Sequence, residues 1–342
     1  MPVASLAVDV LLGTEPVGVR GRAEALAATG VDGVFTFENA HDVFFPLVQV
    51  AGAVDLDLMT NVAIAFPRSP VHLAHAAYDL QLLSGGRFRL GLGSQVRTHV
   101  ERRYGASWSR PAARMRELVL AVKAVLAAWE GTAPLDFHGE FTSHTYMPPV
   151  FNPGPNPFGP PPVLVGALGP KMTAAAAEVA DGLLVMPFNS ARHVAERTRP
   201  AIERGLAAGG RYRRDLEVVY EVIVAMGGDD AALAAARTGA RRLLAFYGST
   251  PAYRSVLEAE GVGSWQPELQ AMARAGDWAS MEHRIDDRLL AAVAVAGSPE
   301  ECAAQILARY GDDADRVCCY FPGYPVRDDD IAALAAALRS PA

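Results

Sequence analysis

Hydrophobic positions along this chain alternate between a period that suits a strand and one that suits a helix. Ala4–Leu12 reads as a strand. Val17–Thr29 follows with helical spacing and stops at Gly30, a residue type that ends helices in the left-handed conformation. Val31–Phe37 predicts a second strand, Phe45–Val54 a short helix, and Leu56–Ala65 a third strand. Pro70–Leu83 predicts a helix opened by proline and closed before Gly85-Gly86. Phe88–Leu92 is a fourth strand, apolar enough to be buried on both faces, and Arg110–Glu130 a long helix. Strand followed by helix, repeated this way, is the signature of a parallel α/β fold.

The rhythm then stops. Gly131–Pro162 holds nine prolines and a hairpin-like piece at Phe137–Phe141, and its second half is too proline-rich for regular structure. The rhythm resumes directly afterwards, which marks the stretch as an ordered insertion rather than a linker. Val163–Val165 is the fifth strand and Lys171–Ala180 a helix; Gly182–Met186 is the sixth strand and Ala191–Ala207 a helix. Leu216–Ala225 is the seventh strand and Ala231–Phe246 a helix. A second insertion, Gly248–Arg284, carries scattered aromatics. The helix Pro299–Tyr310, an eighth strand Arg316–Phe321 and a last helix Asp329–Leu338 complete the chain. Eight strand–helix units predict an α/β fold of the (β/α)8 TIM-barrel type. It is expected as one domain over 1–342, with insertions after strands four and seven at 131–162 and 248–284.

Composition narrows the class. The 342 residues are 51% hydrophobic and 20% charged, which excludes a disordered chain. A net charge of −7 without a long basic run gives no support for nucleic acid or an anionic membrane as partner. No apolar run approaches the ~18–20 residues that span a bilayer, and the N-terminus lacks the basic start of a secretory signal. The three cysteines include an adjacent pair and no CxxC, so neither a disulfide framework nor a structural zinc site is expected, and the setting reads as cytoplasmic. Cys318-Cys319 fall in a predicted buried strand, where at least one should fill the core.

In a barrel, chemistry sits at the C-terminal ends of the strands. After strand two, Glu38, His41 and Asp42 place three ionisable groups in five residues. Two readings fit: a proton-transfer site, or a polar loop whose Glu38 caps the next helix. Gly91-Leu-Gly-Ser-Gln after strand four suits either a tight turn or a close approach of backbone to a ligand. Val165-Gly-Ala-Leu-Gly-Pro-Lys leads small residues into a helix opened by Pro170. Free amides there, with Lys171, form an anion site; turn chemistry and a solvated lysine are the alternative. Strand seven ends near Glu221, and Tyr320, Phe321 and Tyr324 follow strand eight. The remaining histidines lack metal-ligand spacing: His72 and His75 share a helix face without a third ligand. There is no GxSxG, HExxH or GxxxxGK[ST] motif.

Residues 82–94, Leu-Leu-Ser-Gly-Gly-Arg-Phe-Arg-Leu-Gly-Leu-Gly-Ser, closely resemble the luciferase-like monooxygenase superfamily. They follow a helix that begins Pro67-Arg-Ser-Pro-Val-His-Leu-Ala. Ala40-His-Asp, Phe137-His-Gly-Glu-Phe, Val165–Pro170 followed by Ala180-Asp-Gly, and Gly297-Ser-Pro-Glu-Glu extend the resemblance over nearly the whole chain. It implies a barrel that binds FMN or the deazaflavin coenzyme F420. The run Val62-Ala-Ile-Ala-Phe-Pro-Arg-Ser-Pro and the Glu38–Asp42 loop look like the F420-dependent branch.

By that resemblance, a cis peptide at Asn61-Val62 would form a bulge behind the deazaflavin ring. Gly93, Ser94 and His99 would line the ring and ribityl chain. Gly166, Ala167, Leu168 and Gly169 would hold the phosphate, with Lys171 beside it. His41, assisted by Glu38, would move the proton, and Arg97, Arg102, Arg103 and Lys171 would suit the charged tail of F420. The implied reaction is hydride transfer between C5 of the deazaflavin and a small organic substrate: an alcohol, C=C or C=N. The substrate side would be shaped by both insertions, with Phe137, Phe151, Phe158, Tyr253 and Trp265 giving it an apolar, aromatic lining. The resemblance also implies a homodimer. One alternative is an FMN-dependent two-component monooxygenase fed by a flavin reductase; another is a barrel that only binds a ligand.

Overall fold

A computed structural model describes residues 6–339. Eight parallel strands follow the expected rhythm: β1 (Ala7–Leu11), β2 (Gly33–Thr36), β3 (Asp57–Thr60), β4 (Phe88–Gly93), β5 (Val163–Ala167), β6 (Gly182–Val185), β7 (Glu217–Met226) and β8 (Arg316–Tyr320). Ala4 and Ser5, the start of the first predicted strand, lie outside the described residues. Each strand pairs with the next in sequence, and β8 returns to β1 with Ala7 opposite Arg316. The sheet is therefore a closed (β/α)8 barrel. Its helices surround it, so the outward strand residues are buried as completely as the inward ones.

Local signals set the helices. Pro70–Leu83 forms as predicted because the Ser69 side chain accepts the Val71 N–H at 3.3 Å, Pro70 opens the first turn, and Gly85 and Gly86 have positive φ. Pro299–Tyr310 is held by a reciprocal box in which Ser298 and Glu301 each bond the other's backbone N–H.

Inward side chains form three tiers. The floor is ionic. Arg316 bonds Asp9 and Asp57. Arg89 pairs with Asp57 at 3.0 Å and with Glu217 at 3.1 Å. Gly33 makes room for this plug, since a Cβ there would stand 2.5 Å from the Asp9 carboxylate. Burial pushes the Asp9 carboxyl up to about 6, against the pull of Arg316 and Arg89. Above the floor lies an apolar tier of Phe35, Met59, Leu164, Leu184, Val219 and Cys318. Each such burial contributes about 1.5–3 kcal/mol for a large aliphatic or aromatic side chain. Phe37, Asn61, Gly93, Gly166, Met186, Glu221 and Tyr320 follow on the same inward lines and form the mouth.

Several elements differ from expectation. The third strand stops at Thr60, and Ala63–Ile64 resumes beside β4. Between them the Asn61-Val62 peptide is cis. The predicted helix Ala191–Ala207 is broken: Val194–Thr198 is a wide turn and a regular helix starts only at Arg199. Pro200 lacks the N–H that would continue a single regular ladder. The first stretch after β4 holds the unforeseen helix Arg97–Arg102. The second insertion, 248–284, is mostly helical, with Arg254–Ala259, Trp265–Ala275 and Trp278–His283; beyond it come an unforeseen helix, Asp287–Val293, and a short strand, Val295–Gly297, that pairs in parallel with the end of β7.

Candidate active site

The mouth has two unlike sides. On the β3–β5 side, backbone shape dominates. Val62 sits directly over Gly93 and Gly166: a Cβ at Gly93 would lie 2.3 Å from its Cγ2, and one at Gly166 3.0 Å from its Cγ1. The two glycines thus seat the Val62 side chain, which keeps a face toward the mouth. Beside it, Asn61 is buried, yet its side-chain Nδ2 has no partner. Thr60 ties the end of β3 to β4 by accepting the Gly91 N–H at 2.9 Å and donating to the Gly91 carbonyl at 2.8 Å.

Glu38 holds the bulge from behind. Its carboxylate accepts the Ile64 N–H at 2.8 Å, Arg68 at 2.6 Å and the Tyr104 hydroxyl at 3.0 Å. Both oxygens are therefore committed. Asp42, rather than Glu38, receives the first N–H of the helix Phe44–Val50, at 2.9 Å, and it pairs with Arg68 at 3.0 Å. The Arg68 guanidinium is held above its usual range: burial works against its charge, but the bonds to Glu38 and Asp42 outweigh it. Arg103 bonds the Asn39 carbonyl, so the loops after β2 and β4 are clamped together. His41 is exposed on this loop and its ring has no hydrogen bond among the described residues. His99 is likewise exposed, on the helix Arg97–Arg102. Ser94 stands half-buried at the end of β4 and donates to the Gln95 carbonyl at 3.2 Å.

After β5, Gly166-Ala167-Leu168-Gly169 leads into the helix Pro170–Val179. The first bond of this helix runs from the Thr173 N–H to the Gly169 carbonyl, 3.0 Å, which leaves the Lys171 and Met172 amides ahead of it. Gly169 has open space around it, and Lys171 is exposed on the first turn. These are the features of an anion cradle.

The β6–β8 side is aromatic. Phe37 meets Tyr320 edge-on at 6.0 Å, and Phe188 packs against Tyr247 and Tyr253 at 5.9 and 6.5 Å. Ile223 and Ala225 carry the inward line of β7 up into the core of the second insertion, which includes Trp265 at its margin. This insertion roofs the mouth. Of the first insertion, the hairpin that carries Phe137 packs on the opening turns of the helix Pro111–Trp129, whereas the proline-rich second half lies away from the mouth, contrary to the expectation for Phe151 and Phe158. Phe158 lies on Gly85 and Gly86, where the chain enters β4 at the opposite end of the barrel. Phe151 belongs to a turn whose Asn152 reaches the Ala128 carbonyl near the far end of the long helix Pro111–Trp129.

Two polar features stand inside this side; the sequence offered Glu221 only as a position near the end of strand seven and gave His193 no role. Glu221 stands on β7, half-buried, and burial alone pushes its carboxyl up to about 8. A lone acid inside the apolar run Val218–Met226 was the available signal. The second is a buried relay in which His193 contacts the Asn189 Oδ1 at 3.0 Å and the Ser255 Oγ at 3.1 Å. It ties the loop after β6 to the insertion, and burial lowers the His193 pKa to about 4. The histidine is thus neutral at neutral pH.

Among the described residues no helix is long and apolar enough to cross a membrane. The profile of the luciferase-like monooxygenase family matches residues 8–316. An uncharacterised protein of Mycobacterium tuberculosis is 46% identical over 300 residues, 87% of this chain and 88% of that protein. The 5,10-methylenetetrahydromethanopterin reductase of Archaeoglobus fulgidus is 30% identical over 244 residues, 70% of this chain and 68% of the reductase. Among solved structures, the coenzyme F420 dependent tetrahydromethanopterin reductase of Methanopyrus kandleri superposes with a TM-score of 0.78 at 20% identity, covering 97% of each chain. With barrel and sequence profile in agreement, the chain belongs to the luciferase-like monooxygenase family.

Proposed function

We propose that this protein is an F420-dependent oxidoreductase that moves a hydride between C5 of the deazaflavin and a small organic substrate. The observation that carries the reading is the pairing of Val62, seated on Gly93 and Gly166, with the buried and unpartnered Asn61 Nδ2 beside it. A planar heterocycle laid against Val62 would gain an apolar backstop and bring a carbonyl or ring nitrogen to the free amide. The residues present therefore fit such a ring. The amides of Lys171 and Met172, the open space at Gly169 and the Lys171 ammonium suit its phosphate. Gly166, Ala167, Leu168 and Gly169 form the approach to it, and Ser94 and His99 border the ribityl path.

The cofactor supplies the hydride chemistry; the chain orients the ring, shields it and handles protons. Glu38 acts here as a positioning residue, because its oxygens are spent on Ile64, Arg68 and Tyr104. His41 is the group of that loop left free to exchange a proton with solvent. The Methanopyrus kandleri reductase that shares this fold is described as coenzyme F420 dependent, which favours this cofactor, and FMN is the competing one for a luciferase-like monooxygenase. We also propose a homodimer, since Phe45, Val48, Leu82 and Leu83 expose an apolar face on neighbouring helices. Phe45→Asp with Leu83→Asp should give a monomer in sedimentation analysis.

The test is titration of the purified protein with F420 and with FMN, followed by fluorescence. F420 should bind in the micromolar range or tighter, with FMN much weaker. Preference for FMN would place the chain with flavin monooxygenases that need a reductase. Binding of neither would leave only a ligand-binding barrel.

A further inference from the structure

Glu221 is a carboxyl that neither the ionic floor nor the proposed cofactor cradle uses. It lies on the inward line of β7, opposite Cys318 of β8, one step above the apolar tier. The titratable groups that face it are neutral: Tyr247 from the helix Asp230–Gly248, and Tyr320 and Cys318 from β8. On the β6 side the neighbours on the inward line are Leu184 and Met186. The arginines of the barrel interior, Arg89 and Arg316, are committed to Asp57, Glu217 and Asp9 in the floor. No cation therefore balances Glu221, and no donor satisfies it among the described residues. It is half-buried with a window onto the mouth, under the aromatic roof of Tyr247, Tyr253 and Phe188.

A carboxyl sunk among apolar walls, open only at the mouth and without a protein partner, is placed to be completed by a ligand's polar atom. We propose that Glu221 receives the polar atom of the substrate and exchanges the proton that accompanies hydride transfer, so that the substrate is a carbonyl or imine compound, or the alcohol or amine derived from it. This rests on the deazaflavin reading. An isolated C=C bond offers nothing to the carboxyl and would leave it unpaired. In the reducing direction, a hydride from the reduced deazaflavin forms the new C–H bond at the substrate carbon. The π pair of C=O or C=N moves to the oxygen or nitrogen, which takes the Glu221 proton. The carboxylate then regains a proton from solvent through the mouth. In the oxidising direction Glu221 as carboxylate accepts the hydroxyl or amine proton. An acid poised near neutral pH suits both directions, and it is set there by burial rather than by a charged partner. His41, exposed on its loop, stands outside the inward line.

Glu221→Gln keeps the size and the hydrogen bonding of the side chain but cannot deliver this proton. F420 affinity in the variant should stay within a few-fold of wild type, since Glu221 lies across the mouth from Val62. Turnover of a panel of small ketones and cyclic imines with reduced F420 should fall by about 10²-fold or more. The wild-type loss of rate as the pH passes 8 should be absent from the variant. His41→Asn should cost less than Glu221→Gln. A second readout needs no cofactor: wild-type melting temperature should fall as pH rises from 6.5 to 8.5, and the variant should lose much of that slope. Activity confined to C=C substrates, equal turnover by the variant, a larger loss in His41→Asn, or identical melting profiles would each overturn the proposal. Failure of F420 to bind would instead overturn the cofactor reading, and the melting profiles would still decide whether Glu221 is protonated.

Discussion

Glu217 and Glu221 stand on the same strand, both directed into the barrel, and meet opposite surroundings. Glu217 belongs to a floor in which Arg89 and Arg316 face Asp9, Asp57 and Glu217. Glu221, one turn of the strand's alternation above Val219, meets only hydroxyls, a thiol and apolar walls. The same residue type is structural where arginines pair it and available for chemistry where no cation faces it. The floor is built of charges that face one another; the mouth holds the half-buried Glu221 carboxyl, which no cation faces, and the buried Asn61 amide, whose Nδ2 has no partner among the described residues. The glycines divide in the same way. Gly91, in the middle tier, is required by backbone, for a Cβ would stand 1.9 Å from the Thr60 carbonyl oxygen. Gly93, in the mouth, makes room for the Val62 side chain.

This contrast can be broken most forcefully at the floor. Arg316→Met removes the cation shared by Asp9 and Asp57 and should lower the unfolding free energy by about 3–5 kcal/mol in urea titration, because carboxylates are left buried and unpaired. The next effect comes from Glu221 itself. Its folded-state pKa is about 8 against an ordinary value of 4.5, so its contribution is complete below pH 4.5 and disappears as pH rises through 8. Urea titrations should show roughly 3–5 kcal/mol of such loss in wild type that Glu221→Gln lacks. Asp9 acts in the same direction, but below and around pH 6, so the interval above it isolates Glu221.

His193 should show the opposite sign. Its pKa is about 4 in the fold against 6.5, so its contribution is present above pH 6.5 and disappears as pH falls toward 4. Acidification should cost roughly 3 kcal/mol through the Asn189–His193–Ser255 relay. Amide hydrogen exchange should rise first in the helix Arg254–Ala259, and His193→Gln should lack the transition. The smallest effects distinguish the glycines. Gly91→Ala should lose about 1–3 kcal/mol of stability. Gly93→Ala should lose less, because a side chain rather than backbone must shift, yet weaken F420 binding about tenfold by displacing Val62, equivalent to ~1.4 kcal/mol.

Much of this architecture is written locally. Ser69, Pro70 and the Gly85-Gly86 pair delimit one helix, and Ser298 with Glu301 delimits another, so both are legible from neighbouring residues. The apolar run Leu56–Ala65 does not disclose its interruption at Asn61-Val62, because the residues on both sides keep the composition of a strand; only resemblance pointed to it. The ionic floor escaped because its partners are contributed by β1, β3, β4, β7 and β8, and pairing across the barrel leaves no trace in adjacent positions. The Glu38–Asp42 loop was recognisable as polar and important, but the division of labour was not. Which carboxylate reaches Arg68, Ile64 and Tyr104 depends on where the chain returns after β3 and β4. The proposed phosphate cradle was the most legible part of the site, since its backbone form needs only small residues, a proline and the start of a helix. Glu221 was legible as a position at the end of strand seven, whereas its isolation from every arginine required the closed barrel.

The contrast between the two glutamates is tested most directly by carbon-13 NMR of the protein carrying carboxyl-labelled glutamate, titrated with and without Glu221→Gln. The resonance lost in the variant should remain that of a protonated acid through neutral pH and titrate at about 8. Titration of that resonance near 4.5, the ordinary value for the residue, would show an ionised and solvated Glu221 and contradict the division between a sealed floor and a reactive mouth.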